Sequence, residues 1–205
     1  VANPAVIRGY DREDGIEVET ADKAFVPTPS PSLSGSAVSY LIITNEAMAG
    51  EFQRLADHKT SLGLPAVETT REYIEANFRH GVDLQETIRM FIRDAYEQWG
   101  VEYVLLGGDS DILPPRLVNN TLYPPGESTD IPVDLYFAGL DGNWNANGNH
   151  IFGQPEATGI IDDEVDFLEE IYIGRATVST PAQATVFVDK VMAYEAATYD
   201  DAWTN

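Results

Sequence analysis

The sequence predicts an α/β protein in which a mainly parallel sheet lies between layers of helices. Tyr40–Thr44 and Tyr103–Asp109 begin as apolar runs without alternation, which is typical of strands that are buried on both faces. Between and after them, helical and strand patterns follow in the order strand, helix, strand, helix, helix, strand. Such an order favours right-handed crossovers between parallel strands.

The first predicted helix follows the strand Tyr40–Thr44, and Asn45 is a suitable N-terminal cap for it. Gly63 is well placed to end this helix. Five apolar side chains fall on one helical face and are predicted to point inward: Met48, Phe52, Leu55, Ala56 and Leu62.

The next elements are a strand at Pro65–Thr69 and two helices that open with capping boxes. Thr69-x-x-Glu72 predicts a short helix through Phe78, and Asp83-x-x-Glu86 predicts a longer one that Gly100 ends. The inward face of the longer helix is predicted to comprise Ile88, Phe91, Ile92, Ala95 and Trp99.

The second half of the chain is less regular. Residues 110–169 are rich in Pro, Gly, Asn and Asp, with one predicted strand at Val133–Phe137. Ile171–Arg175 resumes the sheet, and Thr180-Pro181-x-Gln183 begins a last helix with proline at its first position. Residues 1–38 contain a Pro/Ser-rich stretch and are predicted to be an arm or linker before the domain at 39–205.

The composition excludes several classes of function. The chain has 34 acidic and 12 basic residues, a net charge of −22, which argues against nucleic acid and anionic membrane surfaces as partners. Bound Ca²⁺ and a salt-rich habitat are two explanations for so much negative charge. No apolar run is long enough to span a bilayer. Because cysteine is absent, the chain has no disulfide, thiolate ligand or cysteine nucleophile.

An Asn-rich loop is the first candidate metal site. Its oxygen-bearing side chains alternate at Asp141, Asn143, Asn145 and Asn147, and Gly148 follows, as in the first half of a calcium loop. Gln154 stands where such a loop has its closing glutamate, which lowers the charge of the site. A cluster of Asx turns without metal is the alternative interpretation.

An acidic segment, residues 162–170, is the second candidate. It carries six carboxylates in nine residues and leads directly into the predicted strand at Ile171. In an extended chain Glu164, Asp166, Leu168 and Glu170 lie on one side. Since uncompensated carboxylates beside a buried strand are costly, we expect a hard cation here, Ca²⁺ before Mg²⁺. The alternative is a solvated acidic loop.

Catalytic arrangements find little support. Asp109 follows two glycines at the carboxyl end of a strand, where α/β sheets bind ligands. Ser110 lacks the G-x-S-x-G pattern of a nucleophile elbow, and Pro114-Pro115 prevents a helix from starting promptly. No histidine has the sequence context of a catalytic triad, so no catalytic residue is predicted.

Several stretches together resemble the gingipain-like cysteine peptidases (peptidase family C25), which are relatives of the caspases. The matching pieces occur in order over residues 39–200: Tyr40–Thr44, Leu55–Lys59 with Gly63, Ile88–Ile92, Glu102–Asp109, Asp134–Gly142, Ile171–Arg175 and Tyr194-Glu195. This resemblance implies a caspase-like, three-layer αβα domain with a mainly parallel sheet, of which 39–205 is the first, Rossmann-like subdomain. The family's catalytic His and Cys belong to the second subdomain.

The resemblance also implies metal ligands. Family members bind calcium through an acidic segment before the strand that corresponds to Ile171–Arg175. Matched by position, Glu164, Asp166, the Leu168 carbonyl and Glu170 are the implied ligands here. Asp109 resembles a family carboxylate that serves a nearby calcium.

We therefore expect the N-terminal, calcium-binding scaffold subdomain of a secreted or cell-surface, gingipain-like cysteine endopeptidase. Its expected partners are the second catalytic subdomain of the same parent protein and, in that parent, a protein or peptide substrate. A start at Val1 rather than Met suggests a trimmed or mature chain. The 205-residue chain by itself is expected to be inactive. The alternative is an extracellular calcium-dependent binding module that stands alone and has no catalytic role.

Overall fold

A four-stranded parallel sheet organises the molecule, in the strand order β2-β1-β3-β6. The computed structural model describes residues 37–78, 81–119, 131–154 and 163–197. The strands are β1 Tyr40–Thr44, β2 Ala66–Thr70, β3 Tyr103–Gly107, β4 Arg116–Val118, β5 Ile131–Val133 and β6 Tyr172–Ala176. The helices are α1 Ala49–Ser61, α2 Arg71–Asn77, α3 Leu84–Trp99 and α4 Pro181–Ala196. The predicted α/β architecture is confirmed.

Helices cover both faces of the sheet and so form three layers. On one face, α1 and α4 pack against β1 and β3 through Phe52, Val188, Ile42 and Leu105. On the other, α2 and α3 enclose a larger core that also contains the aromatic side chains of residues 136–152. Burial on both faces explains why β1 and β3 are apolar without alternation.

Most of the helix caps predicted from the sequence are present in the structure. The Asp83 side chain accepts a hydrogen bond from the Glu86 amide at 2.8 Å, and Gly100 ends α3 in the left-handed conformation at φ 77°. Thr180 caps α4, with Pro181 in its first turn. One cap was predicted one residue too early, because Thr70, and not Thr69, accepts the Tyr73 amide at 3.1 Å.

Two further expectations were wrong. Leu62 does not point inward: α1 ends at Ser61, the chain turns through Gly63, and Leu62 is left 60% exposed. The predicted strand Val133–Phe137 is instead the end of β5 followed by a 3₁₀ helix over Leu135–Phe137. That turn buries Tyr136 and Phe137 together, which an alternating strand would not do.

The irregular region contains a small second sheet that the sequence did not predict. β4 and β5 pair antiparallel, with Arg116 opposite Val133. Arg116 is buried, donates two hydrogen bonds of 2.7 Å to Asp83, and lies over the Phe152 ring at 3.6 Å from its centroid. This side chain therefore fixes the hairpin to the start of α3.

The predicted arm, residues 1–38, lies outside the described residues except for Ala37 and Val38. Val38 is fully buried, and its amide donates to the Trp99 carbonyl at 3.1 Å. The first described residues are therefore already part of the packed domain.

Candidate functional site

The predicted site residues lie at opposite ends of the sheet. β3 and β6 are parallel, with Tyr103 opposite Tyr172 and Gly107 opposite Ala176. Asp109 follows the carboxyl end of β3, whereas the acidic segment precedes the amino end of β6. Five strand residues separate the two ends by roughly 15 Å at about 3.3 Å per residue. Asp109 and the acidic segment are therefore two separate places in the fold.

Asp109 links the carboxyl ends of β3 and β6. Its amide donates to the Val178 carbonyl at 2.9 Å, and its Oδ1 accepts the Ser110 amide at 2.7 Å. The hydroxyl of Ser179 donates to Oδ2 at 3.4 Å. Because these contacts join the chain after β3 to the chain after β6, Asp109 serves here as an anchor at the sheet edge.

The same end of the sheet contains an arginine that sequence reasoning did not single out. Arg175 binds Asp134 through two hydrogen bonds of 2.7 Å and also donates to the carbonyls of Gly108 and Leu113 at 2.8 and 2.7 Å. We call these four residues the Arg175 node. The only signal in the sequence was a charged residue at the end of an apolar strand.

At the amino end of β6, the start of the Asn-rich loop contacts the acidic segment. Residues 139–142 lie against residues 163–170, and we call this pair of segments the acidic junction. The Asn143 amide donates to the Glu164 carbonyl at 2.8 Å. A Cβ on Gly142 would collide with the backbone of Asp166, and one on Gly139 would lie 3.1 Å from the Asp166 carbonyl oxygen. Glycine at these positions therefore permits the close approach of the segments.

Glu170 lies among the negative charges of the acidic junction. Burial raises the pKa of Glu170, and the nearby charges of Asp141 and Asp166 raise it further, while a hydrogen bond from the Leu140 amide opposes the rise. Asp166 Oδ1 accepts the Leu168 amide at 2.8 Å. Among the predicted ligands, the Glu164 side chain is exposed. The negative charges are thus gathered at one end of the sheet.

Arg89 is a cation that binds this backbone, and its charge also acts on Glu170. It donates to the carbonyl oxygens of Gly139 and Gly142, the latter at 2.7 Å, and its guanidinium lies 5.1 Å from the Tyr136 ring centroid. Arg89 therefore holds the 139–142 turn. The signal in the sequence was an arginine beside the apolar face of α3.

Asp163 is a buried carboxylate that the sequence analysis did not choose as a ligand. It is 7% exposed, and its Oδ2 accepts the Gln154 amide at 2.9 Å. Its Oδ1 is buried without a hydrogen-bond partner in the described part of the chain. A buried anionic oxygen without a donor is costly and matches the donor type that calcium prefers.

The side-chain oxygens of the Asn-rich loop mostly accept hydrogen bonds from backbone amides of the same loop. Asn143 accepts the Asn145 amide at 3.1 Å, Asn145 accepts the His150 amide at 2.9 Å, and Asn147 accepts the Asn149 amide at 2.9 Å. The contacts of Asn143 and Asn147 are Asx turns, the alternative that the sequence left open, whereas the Asn145 contact closes a wider loop of five residues. Asp141 stands apart from them, on the side of Glu170.

In residues 37–78, 81–119, 131–154 and 163–197, no three His, Asp or Glu side chains are arranged as a ready-made metal cage. Asp162, part of the predicted acidic segment, lies outside the described residues. No helix among those described is long and apolar enough to cross a bilayer.

Fold and site together define a three-layer αβα domain of the caspase-like type. The sequence matches the model of peptidase family C25 over residues 34–205, and the chain belongs to that family. The resemblance seen in the sequence is thereby confirmed. No curated protein sequence matches the chain.

Several solved structures are similar to this chain in fold. Dimeric latent PorU from Porphyromonas gingivalis is 22% identical with a TM-score of 0.54, over 76% of this chain and 15% of its own. The complex of RgpB pro- and mature domains from the same organism is 20% identical with a TM-score of 0.51, over 76% and 29%. The Arg-specific cysteine proteinase gingipain R is 20% identical with a TM-score of 0.51, over 83% and 30%. This chain thus spans less than a third of the length of each.

Proposed function

We propose that this chain is the N-terminal scaffold subdomain of a secreted or cell-surface, gingipain-like cysteine endopeptidase, and that it binds calcium at the acidic junction. Family membership supports the peptidase class, and the small share of each relative's length supports a subdomain of a larger protein. The observation that carries the calcium role is the close approach of residues 139–142 to the acidic segment at Asp166, with the buried, unpartnered Oδ1 of Asp163 in the same segment.

The donor set fits calcium in its chemistry. The candidate ligands are the carboxylates of Asp141, Asp163, Asp166 and Glu170, with the Leu168 carbonyl. Glu164 remains a candidate ligand through its carboxylate, which is exposed like that of Asp141, while its carbonyl accepts the Asn143 amide. The amide oxygens of Asn143, Asn145 and Asn147 accept backbone amides, as Asp163 and Asp166 do, and they remain candidate ligands on the Asn-rich loop.

Bound calcium would supply the positive charge that offsets repulsion between these carboxylates. The chain's own contribution is to present them on backbone that Arg89 and the glycines of residues 139–142 hold in place. Since the acidic junction leads into β6, ordering it also orders the last strand of the sheet. A calcium ion there would therefore couple metal binding to the stability of the domain.

The chemical step lies elsewhere in the proposed parent protein. This chain contains no cysteine, so a cysteine thiolate that attacks a peptide carbonyl must come from another part of that protein. By resemblance to the family, the second subdomain provides the thiolate and the histidine that assists it. The peptide or protein substrate is bound by the parent as a whole.

Thermal unfolding with and without metal tests the calcium role. We expect EDTA to lower the Tm and Ca²⁺ to restore it, with Mg²⁺ less effective. Asp166→Asn should weaken the response to Ca²⁺, whereas Asp57→Asn on exposed α1 should leave it unchanged. A Tm that ignores EDTA and Ca²⁺ would overturn the calcium role.

The absence of cysteine also favours a second candidate, an extracellular calcium-dependent binding module without catalysis. Peptidase assays on the longer parent protein, of which this chain is proposed to be one part, decide between the two. Cleavage that an alkylating thiol reagent abolishes supports the endopeptidase. A polypeptide that binds calcium but cleaves no peptide supports the binding module.

A further inference from the structure

Helix α4 is held to the domain by few buried side chains. Two of its sixteen residues are buried, Ala184 and Val188, and both lie in its first half. Val191 and Met192 pack partly against the same core, whereas residues 193–197 are exposed. Since burial of apolar surface is the main favourable contribution to packing, the last turn of α4 gains little from it.

Ion pairs connect α4 to the neighbouring helix α1. Arg54 binds Asp189 at 2.6 Å, and both side chains of this pair are largely exposed. Nearer the end of α4, Glu195 binds two cations: His58 Nε2 lies 3.0 Å from Glu195 Oε2, and Lys59 Nζ binds Oε1. These last three side chains are between 16% and 25% exposed. Because partly buried charges interact more strongly than exposed ones, Glu195 makes the stronger connection.

The connection extends to the start of β1. Lys59 Nζ lies 5.6 Å from the centroid of the Tyr40 ring, a distance at which a cation and an aromatic face attract each other. Burial, with a smaller contribution from the charge of Glu195, raises the pKa of Tyr40 to about 12, so the phenol is neutral near pH 7. We call Tyr40, His58, Lys59 and Glu195 the Glu195 clamp. It joins the ends of α1 and α4 to the sheet.

The charge of the clamp depends on pH through one of its members. His58 contacts Glu195 of α4 and has Lys59 beside it on α1, and Tyr40 of β1 completes the group. Histidine changes its charge between pH 5 and 8, a range over which carboxylates, ammonium groups and phenols ordinarily keep theirs. Glu195 therefore meets two positive charges at the acidic limit of that range and one at the basic limit.

We propose that the Glu195 clamp is a pH-dependent latch. With His58 protonated, it holds the last turn of α4, residues 193–197, against α1; with His58 neutral, this turn opens while the sheet stays folded. A turn that buries little apolar surface opens locally at low cost, so the loss of one charge changes how often it is open. The latch depends on neither the calcium role nor the peptidase function.

Hydrogen–deuterium exchange of the 205-residue chain tests the latch. Glu195→Gln removes the negative charge and keeps the shape of the side chain. At about pH 6 we expect the amides of residues 193–197 to exchange about fivefold faster in this variant, while those of β1 and β3 keep their rates. Unchanged exchange at 193–197, or an equal acceleration in the sheet, would overturn the proposal.

Asp189→Asn is the matched control, because it removes the other pair between α4 and α1. Since that pair is largely exposed, the control should change the exchange of residues 193–197 by less than about twofold. An effect as large as that of Glu195→Gln would show that any lost charge loosens α4, which would also overturn the latch.

The pH dependence of the same exchange tests the role of His58. After correction for the intrinsic exchange rate, we expect the protection of residues 193–197 to fall about threefold between about pH 5.5 and pH 8, because His58 loses its charge as pH rises. His58→Gln should abolish this fall. Glu68 is present in both proteins, so its own titration cancels from the comparison. A fall of the same size in His58→Gln would overturn the proposal.

Lys59→Met separates the latch from a purely structural contact. It leaves His58 as the one cation of the clamp, so the fall in protection between the same two pH values should grow to about tenfold. If Lys59 alone holds Glu195, this variant opens the last turn at both pH values and the pH dependence disappears. That result would overturn the latch.

Discussion

Acidic side chains have opposite electrostatic surroundings at the two ends of β6. At the carboxyl end, Asp134 is held by two hydrogen bonds from Arg175, which also binds two carbonyl oxygens. At the amino end, Glu170 lies near Asp141 and Asp166, and Arg89 directs its donors to backbone carbonyls instead. At the carboxyl end an arginine of the same chain neutralises the acidic side chain, whereas at the amino end several negative side chains lie near one another.

This difference shows how one fold can separate a structural element from a candidate ligand site. An internal ion pair with satisfied hydrogen bonds needs nothing from solution. Carboxylates that repel one another are stabilised by a cation from outside, so their stability depends on its concentration. We expect substitutions at the two ends to respond differently to metal and to pH.

The largest effect at the two ends of β6 is expected from Arg175→Ala, which removes every bond of the Arg175 node. It leaves Asp134 and two carbonyl oxygens without their donor, and we expect the free energy of unfolding to fall by about 4 kcal/mol. Urea denaturation measures this change. Arg93→Ala, which breaks an exposed pair with Glu97, should cost less than about 0.5 kcal/mol. Equal losses for the two variants would show that the node is not a structural element.

Glu68 is a third acidic side chain, buried on β2 away from both ends of β6. Burial, with a smaller contribution from the charge of Glu72, raises its pKa to about 8. Its folded-state pKa lies above the unfolded value of 4.5, so its contribution to stability is complete below pH 4.5 and is lost as pH rises toward 8. The loss is about 1.4 kcal/mol per pH unit within that window.

Glu68→Gln should remove this slope, because the amide carries no proton to lose. Urea denaturation at several pH values between 5 and 9 checks it, with Glu97→Gln, a partly exposed carboxylate on α3, as the control. A wild-type slope that persists in Glu68→Gln would assign the titration to another group.

The effect of Asp163→Asn on stability should change sign when calcium is present. In EDTA it removes a buried negative charge and should raise the free energy of unfolding by about 1 kcal/mol. With saturating Ca²⁺ it should lower the Tm relative to the unmodified chain, because a ligand is lost. Differential scanning fluorimetry in both conditions measures the two effects. A change of the same sign and size in both would remove Asp163 from the metal site.

The smallest effect is expected from Asp109→Asn. Asparagine retains an acceptor for the Ser110 amide, and the backbone bond to Val178 is unaffected. We expect a loss below about 1 kcal/mol in urea denaturation and an unchanged response of the Tm to Ca²⁺. A weaker calcium response would show that Asp109 serves a second ion at the carboxyl end.

Sequence reasoning was strongest where local chemistry decides the structure. The apolar runs identified β1 and β3, Asp83 and Thr180 identified the starts of α3 and α4, and Gly100 identified the end of α3. It failed at Leu135–Phe137, since a short apolar stretch does not distinguish a strand from a 3₁₀ turn that buries its side chains in one core.

The candidate site was predicted in its composition but not in its arrangement. The acidic segment and the Asn-rich loop were both singled out, yet only the fold places Gly139 and Gly142 against Asp166. The roles of Arg89, Asp163 and Arg175 were missed because their partners lie far away in sequence, from 9 to 67 residues. No local pattern encodes such pairs.

The sequence by itself determined the α/β class, the family resemblance, the lack of a cysteine nucleophile and the excess of negative charge. These properties depend on composition and on periods of two to four residues, which the printed chain displays directly. Only the tertiary structure decided that Asp109 and the acidic segment lie at opposite ends of the sheet. The physical reason is strand direction: because β3 and β6 are parallel, residues after the end of one strand and residues before the start of the other are separated by the strands' full length.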